Sequence, residues 1–274
     1  MKDKLKESYQ GKVAIVTGAS AGIGRAITEK LAKYDVKLVL AARQENPLKV
    51  LASELDTECI YVPTDVSVLS QTVHLADETL NRFGQIDFLF NIAGVMKNAG
   101  FGGLKNKDVQ RQIETNLMGT IYCLRAVVPY MQKQQSGHIV NMSSLLGRFP
   151  LPGTGAYCAS KFAVAGLTAA IRHELKQDNI SLAAVFPSLV KTGMMDGHMK
   201  SVRQSRFYNL NSSYMPEKVA AAIVKGVADR KKELTLPRYM HLVTLLYGVF
   251  PELVESIMGR LMGGWPNYNQ PWEP

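Results

Sequence analysis

Tyr157 and Lys161 stand four residues apart in AYCASKFAVAGLTAAI, so a helix over that segment puts a phenol and an ammonium on one face. A free tyrosine, with a pKa of about 10, is a poor proton donor or acceptor at neutral pH, whereas a neighbouring cation favours the phenolate and lowers that pKa. Such tuning serves general acid/base chemistry. Ser144 lies thirteen residues before Tyr157, in HIVNMSSLLG, where an apolar run ends in hydroxyls as a strand does at the lip of a sheet. Its oxygen is suited to holding a substrate oxygen. Near the N-terminus, Thr17-Gly18-Ala19-Ser20-Ala21-Gly22-Ile23-Gly24 joins the strand-like KVAIVTG to RAITEKLAKY, whose Ile27, Leu31 and Tyr34 recur at helical spacing. Strand, glycine turn and helix together make a phosphate cradle: Gly18 permits the turn, Gly22 and Gly24 let backbone and helix approach a pyrophosphate, and the helix start offers unpaired N–H groups. Taken singly, a Tyr-x-x-x-Lys spacing describes any helix surface, and a glycine turn need bind nothing. The functional reading comes from their conjunction.

These groups need a scaffold, and the chain reads as one. VAIVTG, VKLVLAA, CIYVPTDV, IDFLFNIAG, GHIVNMSS and ISLAAVFP alternate with amphipathic stretches, and ELTLP at 233–237 makes a seventh strand. That alternation predicts an α/β fold with a single doubly wound parallel sheet, helices on both faces, and a ligand site at the carboxyl ends of the strands. A chain of 274 residues, 46% hydrophobic and 20% charged, suits one domain with a large core. We take residues 1–237 as the catalytic domain. Within it the irregular stretch 189–215 is expected to form a substrate lid, whose Met194, Met195, Met199, Phe207 and Tyr208 either line the pocket or pack the lid down. Residues 238–274 form an apolar extension of the same domain. Three roles stay open for it: capping the pocket, packing a subunit, or touching lipid through Leu242, Leu245, Leu246 and Phe250. Pro251, followed by Glu252, Glu255 and Arg260, opposes a membrane span.

From about Gly11 to about Leu236 the chain resembles the short-chain dehydrogenase/reductase family, whose motifs occur here in family order. They are TGASAGIG, Asp65-Val66, Asn91-Ile92-Ala93-Gly94, Asn116 within a helix, Ser144, Tyr157/Lys161, and Pro187 followed by Thr192. The resemblance implies a Rossmann-like sheet and a Ser144–Tyr157–Lys161 catalytic set, with Asn116 supporting a proton-relay water. It also implies a cofactor path over Gly18, Ser20, Gly22, Ile23 and Gly24, with Asp65 hydrogen-bonded to the adenine and Val66 beside it. Asn91, Ala93 and Gly94 would pass under the cofactor, Lys161 would hold the nicotinamide ribose beside Tyr157, and Val190 and Thr192 would reach the nicotinamide. Two positions depart from the pattern: Ile92 replaces a second asparagine, and Ser188 replaces a glycine after the proline. Neither is a reacting group.

Cofactor choice turns on VKLVLAARQENP. A carboxylate at the end of the second strand would bind a ribose 2′-hydroxyl and repel a 2′-phosphate, but Ala42 stands there, followed by Arg43. A guanidinium pairs with phosphate in a bidentate way, so NADP(H) is the expected cofactor.

The formal charge of +9, from 32 basic and 23 acidic residues, is dispersed, and Lys231-Lys232 and Lys105/Lys107 are too short to make a nucleic-acid stripe. Cys59, Cys123 and Cys158 have no metal-ligand spacing and are expected to be reduced and buried; His74, His138, His173, His198 and His241 are scattered, so no metal site is expected. MKDKLKESYQ lacks the apolar core of a secretory signal, which makes the cytoplasm the expected location, with peripheral membrane contact through the extension as an addition. A homo-oligomer, dimer or tetramer, is expected. The function read from all this is an NADP(H)-dependent oxidoreductase interconverting a ketone and a secondary alcohol, the substrate being lipophilic. The alternative is a non-catalytic dinucleotide-binding regulator on the same fold. A nucleotide-sugar epimerase or dehydratase fits less well, because those relatives carry a larger C-terminal substrate region.

Overall fold

The computed structural model describes residues 2–193 and 214–261. Seven strands form one sheet: β1 (Val13–Thr17), β2 (Lys37–Ala42), β3 (Cys59–Pro63), β4 (Phe88–Asn91), β5 (Gly137–Met142), β6 (Ile180–Pro187) and β7 (Glu233–Leu236). They pair in the order β3-β2-β1-β4-β5-β6-β7, every pair parallel. Around them run α1 (Lys2–Tyr9), α2 (Gly22–Ala32), α3 (Glu45–Glu54), α4 (Leu69–Phe83), α5 (Asn106–Ile113), α6 (Gly119–Gln134), α7 (Gly155–Glu174), α8 (Pro216–Ala228), α9 (Met240–Val249) and α10 (Pro251–Leu261). This is the doubly wound, Rossmann-like architecture expected from the sequence. The chain winds outward from β1 in one direction and from β4 in the other, so the crevice between those two strands is the switch point where such sheets bind ligands.

Both faces of the sheet are covered, and the pleat divides the strand residues between two cores. Ala14, Val16, Leu38 and Leu40 join one apolar cluster with Ile27 and Leu31 of α2 and Val219 and Ile223 of α8. Val13, Ile15, Val39 and Ala41 join the other with Leu75 of α4 and Leu124 and Val127 of α6. A third cluster lies beyond the strand ends, where Met240, Val254 and Met258 of α9 and α10 pack on Leu145, Phe149, Leu151 and Tyr157. Tyr247 meets Phe149 edge-on, ring centroids 5.0 Å apart.

Several local readings are corrected. α2 stops at Ala32, so Tyr34 lies past its end, in a turn closed by Asp35 at φ 57, and stacks on Tyr9. Asn116 lies within a helix as expected, in the π-helical segment Glu114–Met118 that joins α5 to α6 without a break. Cys123 and Cys158 are buried as expected, but Cys59 is only half-buried, because β3 is an edge strand. The charged N-terminus folds into α1, anchored by Tyr9, whose hydroxyl donates to the Val224 carbonyl at 2.8 Å. The expected lid residues Met194, Met195, Met199, Phe207 and Tyr208 lie outside the described residues.

His138 opens a pH dependence. It is buried at the start of β5, its ring 6.2 Å from that of Phe88, and its Nε2 has no hydrogen-bond partner. Burial, with the Arg230 cation adding to it, pushes its pKa down to about 4. The unfolded chain therefore binds a proton near pH 6.5 that the folded chain refuses, so His138's contribution is complete above that pH and is lost as pH falls toward 4. Fully expressed, the difference is on the order of 3 kcal/mol. The unfolding midpoint of the wild type is expected to fall between pH 6.5 and 4, and His138→Leu to flatten that fall, in thermal melts across the range. Parallel profiles would show that other groups govern acid unfolding.

Candidate active site

The glycine turn between β1 and α2 is shaped by close approach. Gly18 has φ +69, and a Cβ there would lie 2.9 Å from the Ala93 Cα. At Gly24 a Cβ would come within 2.1 Å of the Gly18 carbonyl oxygen, so the first turn of α2 rests directly on the loop. Ala21 caps α2 without a side-chain acceptor, which leaves the first N–H groups of the helix to face an anion. Thr17 ties this turn to the loop after β4: its Oγ1 accepts the N–H groups of Ile92 at 3.0 Å and Ala93 at 3.2 Å.

From the turn a cavity of about 440 Å³ runs across the strand ends to α7. Of the residues expected along a cofactor path, Gly18, Ser20, Gly22, Ile23 and Gly24 line its first stretch. Arg43, after Ala42 at the end of β2, and Asp65 and Val66, after β3, line one side; Ala93, Gly94, Val190 and Thr192 line the middle. Asp65 Oδ1 already accepts from the Ser67 N–H at 3.0 Å and the Ser67 hydroxyl at 2.6 Å, which fixes the carboxylate at the cavity edge. Ile92 and Ser188, the two departures from the family pattern, also face the cavity.

Asn91 and Asn116 sit elsewhere. Asn91 is buried behind the wall and donates to Asn141 Oδ1 at 2.9 Å. Asn116 is fully buried, with Oδ1 accepting the Val95 N–H at 2.8 Å and Nδ2 donating to the Val95 carbonyl at 2.9 Å and Ser160 Oγ at 3.0 Å. Held in the π turn, Asn116 clamps the loop after β4 rather than facing the cavity, and its neighbour Thr115 lines the wall. A Cβ on Gly94 would lie 3.2 Å from Asn116 Oδ1 and 3.5 Å from Lys161 Nζ, so glycine keeps this junction narrow.

At the far end α7 presents Tyr157 and Lys161 from one face, and Ser144 follows β5. Ser144 Oγ accepts the Leu146 N–H at 3.1 Å, which fixes the hydroxyl at the start of a short 3₁₀ turn. Lys161 Nζ donates to the Met142 carbonyl at 2.8 Å and lies 5.7 Å from the centroid of the Tyr157 ring. Burial pushes the Tyr157 phenol up to about 12, against the downward pull of hydrogen bonding with Ser144. Burial likewise pushes Lys161 down to about 8. The shift runs upward where the sequence led to the expectation of a downward one, because burial outweighs the hydrogen bond with Ser144. A phenol so placed keeps its proton throughout the neutral range.

The wall beyond Tyr157 is apolar, made by Met96, Leu146, Phe149, Leu151, Leu189 and Met240. Sequence reasoning did not single these out, since no motif marks them. The apolar load of the chain after β7 was the available signal for Met240.

A dinucleotide fits what is present: an uncapped helix start behind a glycine turn, a cation at the end of β2, and a narrow loop leading to a buried phenol and ammonium. Residues 12–202 match the family model described as short chain dehydrogenase. An uncharacterised oxidoreductase of Staphylococcus epidermidis is 35% identical over 194 residues, 71% of this chain and 83% of the relative. One from Listeria innocua is 31% identical over 239 residues, 85% of this chain and 96% of the relative. Among solved structures, a short chain dehydrogenase/reductase from Burkholderia phymatum in complex with NAD is 29% identical with a TM-score of 0.80, covering 97% of this chain and 99% of that one. Levodione reductase is 25% identical with a TM-score of 0.76, covering 83% and 96%. Family model, relatives and sheet topology agree, and the chain belongs to the short-chain dehydrogenase/reductase family.

Proposed function

We propose that this chain is an NADP(H)-dependent oxidoreductase that interconverts a ketone and a secondary alcohol carrying apolar substituents, with Tyr157 as the general acid/base. The observation that carries the reading is the buried phenol beside Ser144 and Lys161, in a cavity continuous with the glycine turn. Bound there, the nicotinamide supplies or receives a hydride. The rest is done by this chain. Ser144 holds the carbonyl oxygen in place. Tyr157 keeps its proton until charge develops on that oxygen, then donates it. The Lys161 ammonium stabilises the phenolate left behind and holds the ribose. Asn116 supports proton return by holding Val95 and Ser160 in register around Lys161.

Residues 1–237 carry this chemistry, and the extension from residue 238 shapes the substrate end, where Met240 and Phe149 favour an apolar group over a charged one. The homo-oligomeric reading rests on the family resemblance. The Burkholderia neighbour holds NAD; the choice of NADP(H) for this chain rests on its own Ala42 and Arg43, which line the cavity where a carboxylate would repel a 2′-phosphate.

That choice has a direct test. Ala42→Asp with Arg43→Ala exchanges phosphate attraction for repulsion and adds a ribose acceptor. The ratio of kcat/KM for NADPH over NADH is expected to exceed one in the wild type and to fall about 100-fold or more in the double variant, two charge-assisted contacts' worth. A wild type that prefers NADH would contradict the assignment of Arg43.

A further inference from the structure

Where β5 ends, three consecutive residues hold α7, and two of them hold the same lysine. Lys161 Nζ donates to the Met142 carbonyl at 2.8 Å, and the hydroxyl of the next residue, Ser143, donates to the Lys161 backbone carbonyl at 2.8 Å. Ser144, the third, shares a hydrogen bond with the Tyr157 phenol. Ser143 is a fixed point from which to hold a helix. Its N–H bonds the Val185 carbonyl of β6 at 2.9 Å, and the residue is 1% exposed. The short turn Leu145–Gly147 closes over the contact: a Cβ on Gly147 would collide with the Ser143 hydroxyl and lie 2.7 Å from the Lys161 carbonyl oxygen. Although Ser143 lines the cavity, its hydroxyl proton is engaged by α7, which separates its role from that of Ser144.

We propose that Ser143 is the positioning residue for Lys161, tying the main chain of α7 to the end of β5 so that ammonium and phenol stand in place before cofactor or substrate binds. The proposal rests on the reading of Lys161 as the group that holds the nicotinamide ribose. Apolar packing presses α7 onto the sheet but is non-directional, so it resists lifting more than sliding or turning about the helix axis. A hydrogen bond to the main chain has a direction, and this one acts at the turn that carries Tyr157 and Lys161. Among the described residues the next side-chain bond from β5 to α7, Asn141 Nδ2 to Thr168 Oγ1 at 3.0 Å, lies seven residues further on, about 10 Å along the axis. It is too distant to set the turn that carries the phenol and the ammonium. Water is excluded from the Ser143 bond, and a buried bond of this kind leaves its acceptor poorly served when the donor is removed. The Lys161 main chain would then be free to move off the strand end, and the ammonium beside the Met142 carbonyl would move with it.

The test pairs Ser143→Ala with Thr168→Val, since each removes one buried hydroxyl from a bond between β5 and α7. Both are expected to lower the melting temperature. Only Ser143→Ala should weaken NADPH binding, read by cofactor fluorescence without turnover, by about fivefold or more, and lower kcat by about tenfold or more. Thr168→Val should match the wild type in both. Ser143→Cys keeps a weaker donor and should lie between, about two- to threefold weaker in affinity than the wild type, and it carries the comparison should the alanine variant not fold. An affinity lost in Lys161→Ala but kept in the Ser143 variants overturns the inference while leaving the reading of Lys161 intact. Equal losses in Ser143→Ala and Thr168→Val overturn it too, by making the effect a general loosening of α7. Affinity kept in Lys161→Ala removes the ribose contact itself, and the inference with it. A wild type that binds NADPH but consumes none with any ketone defeats the redox proposal alone, and the affinities still decide the role of Ser143.

Discussion

Tyr157→Phe is expected to lower kcat by about 10³-fold or more while leaving NADPH binding within a few-fold of wild type, because the substitution removes one proton donor and nothing else. The ring stays packed among Leu145, Phe149 and Met240 in the third core, so stability is retained. The high phenol pKa sharpens the expectation. At about 12 the group is fully protonated in the neutral range, so ketone reduction should not fall between pH 6 and 8 through ionisation of the tyrosine. Steady-state rates and cofactor fluorescence on the same preparation measure both halves. Near wild-type turnover would remove Tyr157 from the chemistry.

The second large effect is expected at Gly24. A methyl group there would meet the Gly18 carbonyl oxygen at 2.1 Å, and the obstacle is backbone, which cannot swing aside as a side chain can. Gly24→Ala must therefore lift α2 from the turn, spoiling the alignment of its free N–H groups with the pyrophosphate. NADPH affinity is expected to fall on the order of 100-fold. Gly166→Ala, where an added Cβ meets nothing within 4 Å, is the matched control and should leave affinity unchanged. Equal affinities in the two variants would mean that the phosphates lie elsewhere.

Much of this was legible in the sequence because the relevant signals are local. Strands covered on both faces read as apolar runs, as Val13–Val16 of β1, Leu38–Ala42 of β2 and Leu182–Pro187 of β6 do, whereas β5 is interrupted by His138 and Asn141. The glycine turn and the Tyr157/Lys161 pair announce themselves by spacing, and both reach the same cavity. What escaped depends on contacts distant in the chain. The upward direction of the Tyr157 shift was not legible because spacing does not reveal the depth of burial, which outweighs the hydrogen bond with Ser144. Asn116 was expected in a helix and is in one, but spacing does not show the π widening of its turn, nor its bonds to the Val95 carbonyl and the Ser160 hydroxyl, which come from residues distant in the chain. Asn91 stands next to cavity residues in sequence yet turns away to Asn141, since successive strand residues face opposite sides of the sheet. Helix α1 is too polar to be read as a helix from its sequence, and it is held by contacts distant in the chain: Tyr9 packs on Phe88 and bonds the Val224 carbonyl, and Leu5 is buried in the same core. Met240 could not be assigned to the pocket until α9 was seen to fold back over Phe149.

The central claim, that this cavity performs carbonyl chemistry rather than merely holding a dinucleotide, is tested most directly by following NADPH absorbance with the wild-type chain on ketones of graded chain length. The account predicts ketone-dependent NADPH consumption that grows in kcat/KM as the apolar substituent lengthens to fill the wall of Phe149, Leu151 and Met240. Tight NADPH binding with no consumption on any ketone, and no NADP⁺ reduction on the matching alcohols, would contradict it and leave a dinucleotide-binding regulator.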